Sequence, residues 1–162
     1  MTPSADLLGV WRHMKRTPAD AESMWNSWRA PHRAHVLLAL SCAGPVTSLY
    51  EAGCGSGPNL RLIRDADPSI ALGGSEPCPA LAGWAVEHLP NVPIDGRVLP
   101  GVPDVFPWQT VLTCYTLAYL DPSDVALTLQ RWADAGVGTL ILLEPNGDVR
   151  GAGAGVPEYR HL

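Results

Sequence analysis

No apolar run in this sequence is long enough to cross a bilayer. The longest, Val36 to Leu40 continued by Ser41-Cys42-Ala43, falls well short of the roughly 20 residues a spanning helix needs. It also begins too late for a signal peptide, and the charged and tryptophan-rich residues before it argue against reading Leu38-Ala39-Leu40-Ser41-Cys42 as a lipoprotein cleavage site. Cysteine is sparse: Cys42, Cys54, Cys78 and Cys114 are far apart, with no Cys-x-x-Cys pair and no histidine arrangement suited to zinc, so no metal site is expected. Positive charge is in short supply too. The net charge of -5 argues against a large nucleic-acid footprint, and Arg12, Lys15, Arg16, Arg29 and Arg33 give only a modest basic bias that reads as solvated helix surface. Reduced thiols and the missing membrane segment suggest a cytoplasmic setting.

What is present suffices for one folded domain. The 162 residues are 46% apolar and 17% charged, enough for a packed core. Its most informative stretch is Glu51-Ala52-Gly53-Cys54-Gly55-Ser56-Gly57-Pro58-Asn59-Leu60. A carboxylate and three alternating glycines stand here between an apolar strand read as Val46 to Tyr50 and a helix that Pro58 opens at its first position. Glycines let the backbone turn sharply and approach a ligand, and a helix start presents free amide hydrogens. A dinucleotide loop would need Gly-x-Gly-x-x-Gly, but that spacing meets Pro58 when counted from Gly53 and Leu60 when counted from Gly55.

Further elements follow at regular intervals. Ile70 to Ser75 reads as a second strand ending at Glu76, ahead of Pro77-Cys78-Pro79. Asp95-Gly96-Arg97-Val98-Leu99-Pro100 follows a third strand that Pro93 interrupts. Trp108 to Cys114 reads as a fourth strand, and Asp121-Pro122-Ser123-Asp124 opens a helix with Val125, Leu129 and Trp132 on one face. Thr139 to Leu143 reads as a fifth, fully buried strand ending at Glu144. Strands alternating with helices predict a parallel sheet whose strand ends share one rim, bringing Glu51, Glu76, Asp95 and Cys114 together. Before the sheet, Thr17-Pro18-Ala19-Asp20 reads as the capped start of a helix carrying Ala21, Met24, Trp25 and Trp28. A second helix is read from His32 to Ala43, stopped by Gly44-Pro45. Trp11, Trp25 and Trp28 suit either core packing, the commoner use, or a flat substrate wall. His32, His35, His88 and His161 stand in no arrangement that names a general base, and no catalytic residue is assigned.

The order and spacing of these segments over residues 46 to 145 resemble the class I, Rossmann-like S-adenosylmethionine-dependent methyltransferases, whose first motif is acid-x-Gly-x-Gly-x-Gly. The resemblance implies a three-layer α/β/α sandwich with a mostly parallel sheet of about five strands in the order 3-2-1-4-5. It implies S-adenosylmethionine as cofactor: Gly53, Gly55 and Gly57 pass beneath it with Cys54 and Asn59 alongside, Glu51 helps place its methionine part, Glu76 holds the ribose beside Pro77, Asp95 lies near adenine, and Cys114 and Tyr115 border the donor methyl. Cys78, beside Glu76, is expected to help line the same pocket. The implied activity is in-line methyl transfer to a small-molecule acceptor. A non-catalytic S-adenosylmethionine-binding module or a truncated enzyme is the alternative. The chain departs from the family in having Trp108-Gln109 where Phe-Asp is common. It also lacks the Asp/Asn-Pro-Pro-Tyr of enzymes acting on nucleic-acid amino groups, having Thr113-Cys114-Tyr115-Thr116 there. The family's final antiparallel hairpin does not fit after Glu144, so the chain is expected to be a fragment or a reduced form, with self-association through an exposed fifth strand. The expected organisation is a single domain: a helical cap over 1–45, the cofactor-binding core over 46–145 and a glycine-rich tail over 146–162.

Overall fold

A computed structural model describes residues 16–102 and 106–144 of the chain. Five parallel strands form one sheet in the order β3-β2-β1-β4-β5: β1 Ser48–Ala52, β2 Ala71–Ser75, β3 Ile94–Asp95, β4 Thr110–Cys114 and β5 Thr139–Leu143. Helices α1 Pro18–Asn26, α2 Ala34–Ala43, α3 Pro58–Ala66, α4 Pro79–His88 and α5 Pro122–Asp134 surround it. This is the expected Rossmann-like α/β architecture.

The period-two alternation of the strands divides the core. Leu49, Leu72, Leu112 and Ile141 pack with Val36 and Leu40 of α2 and with Leu60 and Ile63 of α3. On the opposite face Tyr50, Ala52 and Val111 pack with Phe106, Leu117, Leu120 and Trp132, the last from α5. Val125 and Leu129 join Trp132 there, as their helical spacing predicts. Among the described residues no helix is long and apolar enough to cross a membrane.

A reciprocal capping box starts α1: Thr17 Oγ1 accepts from the Asp20 amide at 3.2 Å, and the Asp20 carboxylate accepts from the Thr17 amide at 2.7 Å. The helix ends at Asn26, earlier than expected, and Trp28 falls in a 3₁₀ turn over Ser27–Arg29. Trp25 is buried in the core, while the Arg61 guanidinium of α3 lies over both Trp25, at 4.7 Å, and Trp28, at 4.3 Å. Trp25 and Trp28 therefore fasten α1 and the turn after it to α3, and neither lines the cavity.

Several boundaries differ from the sequence reading. The first strand runs over Ser48–Ala52 and not Val46 to Tyr50, because its ladder with β2 opens at Ser48 opposite Ala71 and continues to Ala52 opposite Ser75. Helix α2 begins at Ala34, since Pro31–Arg33 forms a 3₁₀ turn. The fifth strand is not fully buried. It pairs only with β4 among the described residues, and although Ile141 is buried, Leu140 and Leu142 are 40% and 45% exposed. The expectations for residues 1–15 and 146–162, with Trp11, His161 and the question of a hairpin after β5, lie outside the described residues.

Candidate functional site

The glycine-rich loop leaves the carboxyl end of β1 and is pinned to β2 at once, the Gly53 and Cys54 amides both donating to the Ser75 carbonyl at 2.8 Å. Gly53 has φ +74° and Gly55 φ +58°, in the left-handed region that disfavours side chains. Space is also missing. A Cβ on Gly53 would run into the Thr116 side chain, whose hydroxyl is held by a 3.0 Å bond to the Ala52 carbonyl, and a Cβ on Gly55 would strike the Met24 sulfur. The Ser56 amide points at that same sulfur from 3.5 Å, so α1 is seated on the loop. Gly57 is the N-cap of α3, and Pro58 its first residue.

These contacts predict the behaviour of two alanine substitutions. Gly53→Ala should cost about 2 kcal/mol, from strained backbone and the Thr116 overlap together. Gly83→Ala, in α4 with no atom near the added Cβ, should gain up to about 1 kcal/mol. Urea unfolding of both variants checks the contrast.

Two buried carboxylates line the cavity beside the loop. Glu51, 1% exposed, accepts at Oε1 from Asn59 Nδ2 at 2.6 Å, while its Oε2 is buried with no hydrogen-bond partner among the described residues. Asn59 Oδ1 accepts in turn from Arg33 Nη1 at 2.6 Å. Burial pushes the Glu51 carboxyl up to about 8 against the opposing pull of Asn59 and Arg33, with Glu76 adding to the rise. Glu76 accepts from the Gly55 amide at 2.9 Å and the Cys78 amide at 2.8 Å, one to each oxygen. Burial raises its carboxyl too, offset by those two bonds and by Arg16. Burial also lifts Cys54 well above an ordinary thiol and Cys114 to about 11, so both sulfurs stay protonated at neutral pH.

The opposite wall follows β4. Tyr115 holds φ +59°, a strained conformation for a tyrosine, and the chain then turns through a 3₁₀ segment, Leu117–Tyr119. Glu144, just past β5, fixes this turn by accepting from the Thr116 and Ala118 amides, each at 3.1 Å. Between the walls lies a cavity of about 330 Å³, at the small end of the roughly 300–1,000 Å³ usual for small-molecule sites. Desolvation, then Arg33 and His35, lower the pKa of His32, which also borders the cavity.

Glu51, Gly53, Cys54, Gly55, Asn59, Glu76, Pro77, Cys114 and Tyr115 all line this one cavity. Gly57 and Asp95 do not. Asp95 turns aside to accept from the Tyr50 hydroxyl at 3.1 Å and the Arg97 amide at 2.9 Å, and Arg97, Val98 and Leu99 form that part of the wall instead. Cys78, expected in the lining, packs against Ala21 and Leu81. Arg33, read as solvated surface, faces the cavity, because the 3₁₀ turn before α2 carries it over α3. Met24 and Glu144, read only as a helix-face residue and a strand end, were not expected at the site.

No family model matches this chain, and no curated protein does. Solved structures match its fold. Streptomyces venezuelae DesVI shares 16% identity and a TM-score of 0.63 over 80% of this chain and 58% of its own. The sugar N-methyltransferase KedS8 from Streptoalloteichus shares 19% and 0.60 over 75% of this chain and 51% of its own. CalS10, an amino pentose methyltransferase from Micromonospora echinaspora solved with S-adenosylmethionine bound, shares 18% and 0.57 over 82% and 58%. The chain thus spans little more than half the length of these proteins, and the likeness is one of fold.

Proposed function

We propose that this chain is the S-adenosylmethionine-binding core of a methyltransferase acting on a small-molecule acceptor. The observation that carries the proposal is the pairing of two buried carboxylates, one with an uncommitted oxygen, against a glycine loop in a single cavity at the carboxyl rim of the sheet. That rim, between β1 and β4, is where chain connections diverge to opposite sides of the sheet, the usual position for ligands in open α/β folds. The residues fit such a cofactor chemically. Glu51 Oε2 suits an α-amino group, and each Glu76 oxygen keeps a lone pair for a ribose hydroxyl after accepting its backbone amide. Bound S-adenosylmethionine supplies a methyl already activated on a sulfonium. The work left to the chain is to align the acceptor and to exclude water, and the wall of Tyr115, Tyr119 and Leu120 suits both. Holding a reactant in line needs no charged nucleophile from the protein, in keeping with the protonated thiols.

S-adenosylmethionine and S-adenosylhomocysteine should each raise the unfolding temperature, while NAD should not, because only a ligand of the native state stabilises it. No shift with either adenosyl ligand, or an equal shift with NAD, rejects the assignment. Formation of S-adenosylhomocysteine with a small-molecule acceptor distinguishes an enzyme from a binding module.

A further inference from the structure

The bonds Arg33 Nη1 to Asn59 Oδ1 and Asn59 Nδ2 to Glu51 Oε1, both 2.6 Å, make an unbroken line from the helical cap to the buried carboxylate. Guanidinium groups only donate, so Arg33 obliges Asn59 to offer its oxygen on that side and therefore its NH₂ to Glu51. The amide orientation is thus set by chemistry. Arg33 is itself held at the end of α1, its Nε donating to the Ser27 carbonyl at 3.0 Å and its Nη2 to Ser27 Oγ at 2.8 Å. Glu51 Oε2, at the other end of the line, has no hydrogen-bond partner among the described residues.

We propose that Arg33 is a positioning residue of the cavity, which through Asn59 fixes Glu51 with one oxygen turned to a cationic amino group and supplies the positive charge that lets Glu51 ionise when that group arrives. The inference rests on the reading of the cavity as an adenosyl-amino-acid site, but its central claim concerns the chain alone. Among the described residues, the other titratable and charged groups around Glu51 are Glu76, the thiols of Cys54 and Cys114, His32, which borders the same cavity, and Arg16, which acts on Glu76. Among the described residues Arg33 is the cation acting on Glu51. An arriving ammonium would be a second, and the carboxyl would then give up its proton.

Arg33→Gln keeps a hydrogen-bond donor and much of the bulk but removes the charge, whereas Arg33→Lys keeps the charge. In the ligand-free protein, ¹³C NMR of the Glu51 carboxyl should titrate about one pH unit higher in Arg33→Gln than in the wild type, and close to wild type in Arg33→Lys. Calorimetry with S-adenosylhomocysteine should show Arg33→Gln binding about tenfold more weakly at pH 7, with the gap narrowing toward pH 8.5. An unmoved Glu51 titration in Arg33→Gln overturns the inference whatever the ligand does. A loss of affinity by one constant factor at every pH also overturns it, since that is what packing alone would give. Should the titration move as expected while the wild type ignores S-adenosylhomocysteine, the assignment of the cavity fails and the positioning of Glu51 stands.

Discussion

Glu76→Ala is expected to lose about 2 kcal/mol of stability and to weaken S-adenosylmethionine binding by about a hundredfold or more. Two separate losses combine. The Glu76 carboxylate holds the Gly55 and Cys78 amides, both bonds buried, and its removal leaves two interior N–H groups without acceptors. Each such group costs about 1 to 3 kcal/mol, and the relief of desolvating a carboxylate offsets part of the sum. On the proposed assignment, binding then suffers because a ribose would lose its acceptor and because Gly55, no longer held by the carboxylate, is free to leave its left-handed conformation. Glu76→Gln should fall between, since its amide can serve only one of the two backbone donors as acceptor. Urea unfolding and calorimetry on both variants measure the two effects separately. An affinity for Glu76→Ala within threefold of wild type would remove Glu76 from the site.

The position of Glu76 on the cavity was legible in the sequence because it is local: a carboxylate at a strand end, in step with a loop one strand earlier. The same holds for the glycines. Alternating glycine after an apolar run declares a backbone that needs positive φ, and Gly53, Gly55 and Gly57 all have it. Element order and sheet order were readable for a related reason, since alternation of short apolar strands with capped helices leaves few right-handed parallel arrangements. Strand ends were less so. Glu51 looked like the first residue beyond β1 and lies inside it, because a ladder extends as far as its partners do and a sequence does not display partners.

What could not be read are the contacts made across the fold. Arg33 reaches a residue 26 positions away, and Glu144 holds amides 26 and 28 positions back. Neither has a motif of its own, and an arginine at the start of an apolar helix looks like any solvated arginine. Asp95 is a case where a local reading missed a partner across the sheet. Expected to follow the third strand, it is the last residue of β3, where Tyr50 of β1 donates to its carboxylate while Arg97 lines the cavity. The burial of β5 was misjudged for a similar reason, because Leu140-Ile141-Leu142 reads as interior until its position at the sheet edge is known.

Glu51 should make the ligand-free protein less stable as pH rises through neutrality, and Glu51→Gln should abolish most of that dependence. A free glutamate titrates near 4.5, whereas burial holds this one up to about 8. Between those values the folded chain keeps a proton that the unfolded chain releases. The stability from this group is therefore fully present below about 4.5 and is lost as pH rises toward 8, at up to about 1.4 kcal/mol per pH unit. Glu76, shifted in the same direction, leaves a smaller residual slope in the variant. Between pH 5 and pH 8 the wild type should lose on the order of 3 kcal/mol relative to Glu51→Gln, and above pH 8 the variant should be the more stable protein. Ligand affinity should move the other way. A cationic amino group at Oε2 favours the ionised carboxyl, so binding expels the proton, and S-adenosylmethionine affinity should rise with pH up to about 8, by at most tenfold per unit. Glu51→Gln should bind about ten- to a hundredfold more weakly above pH 8, with little dependence on pH. Urea titrations at pH 5, 7 and 8.5, paired with calorimetry at each pH, test both slopes. A wild-type stability that climbs over this range, or an affinity that stays flat, would mean that Glu51 is already ionised in the folded chain. Binding would then release no proton from it, and the affinity lost in Glu51→Gln alone would decide whether this carboxylate receives the ligand's charge.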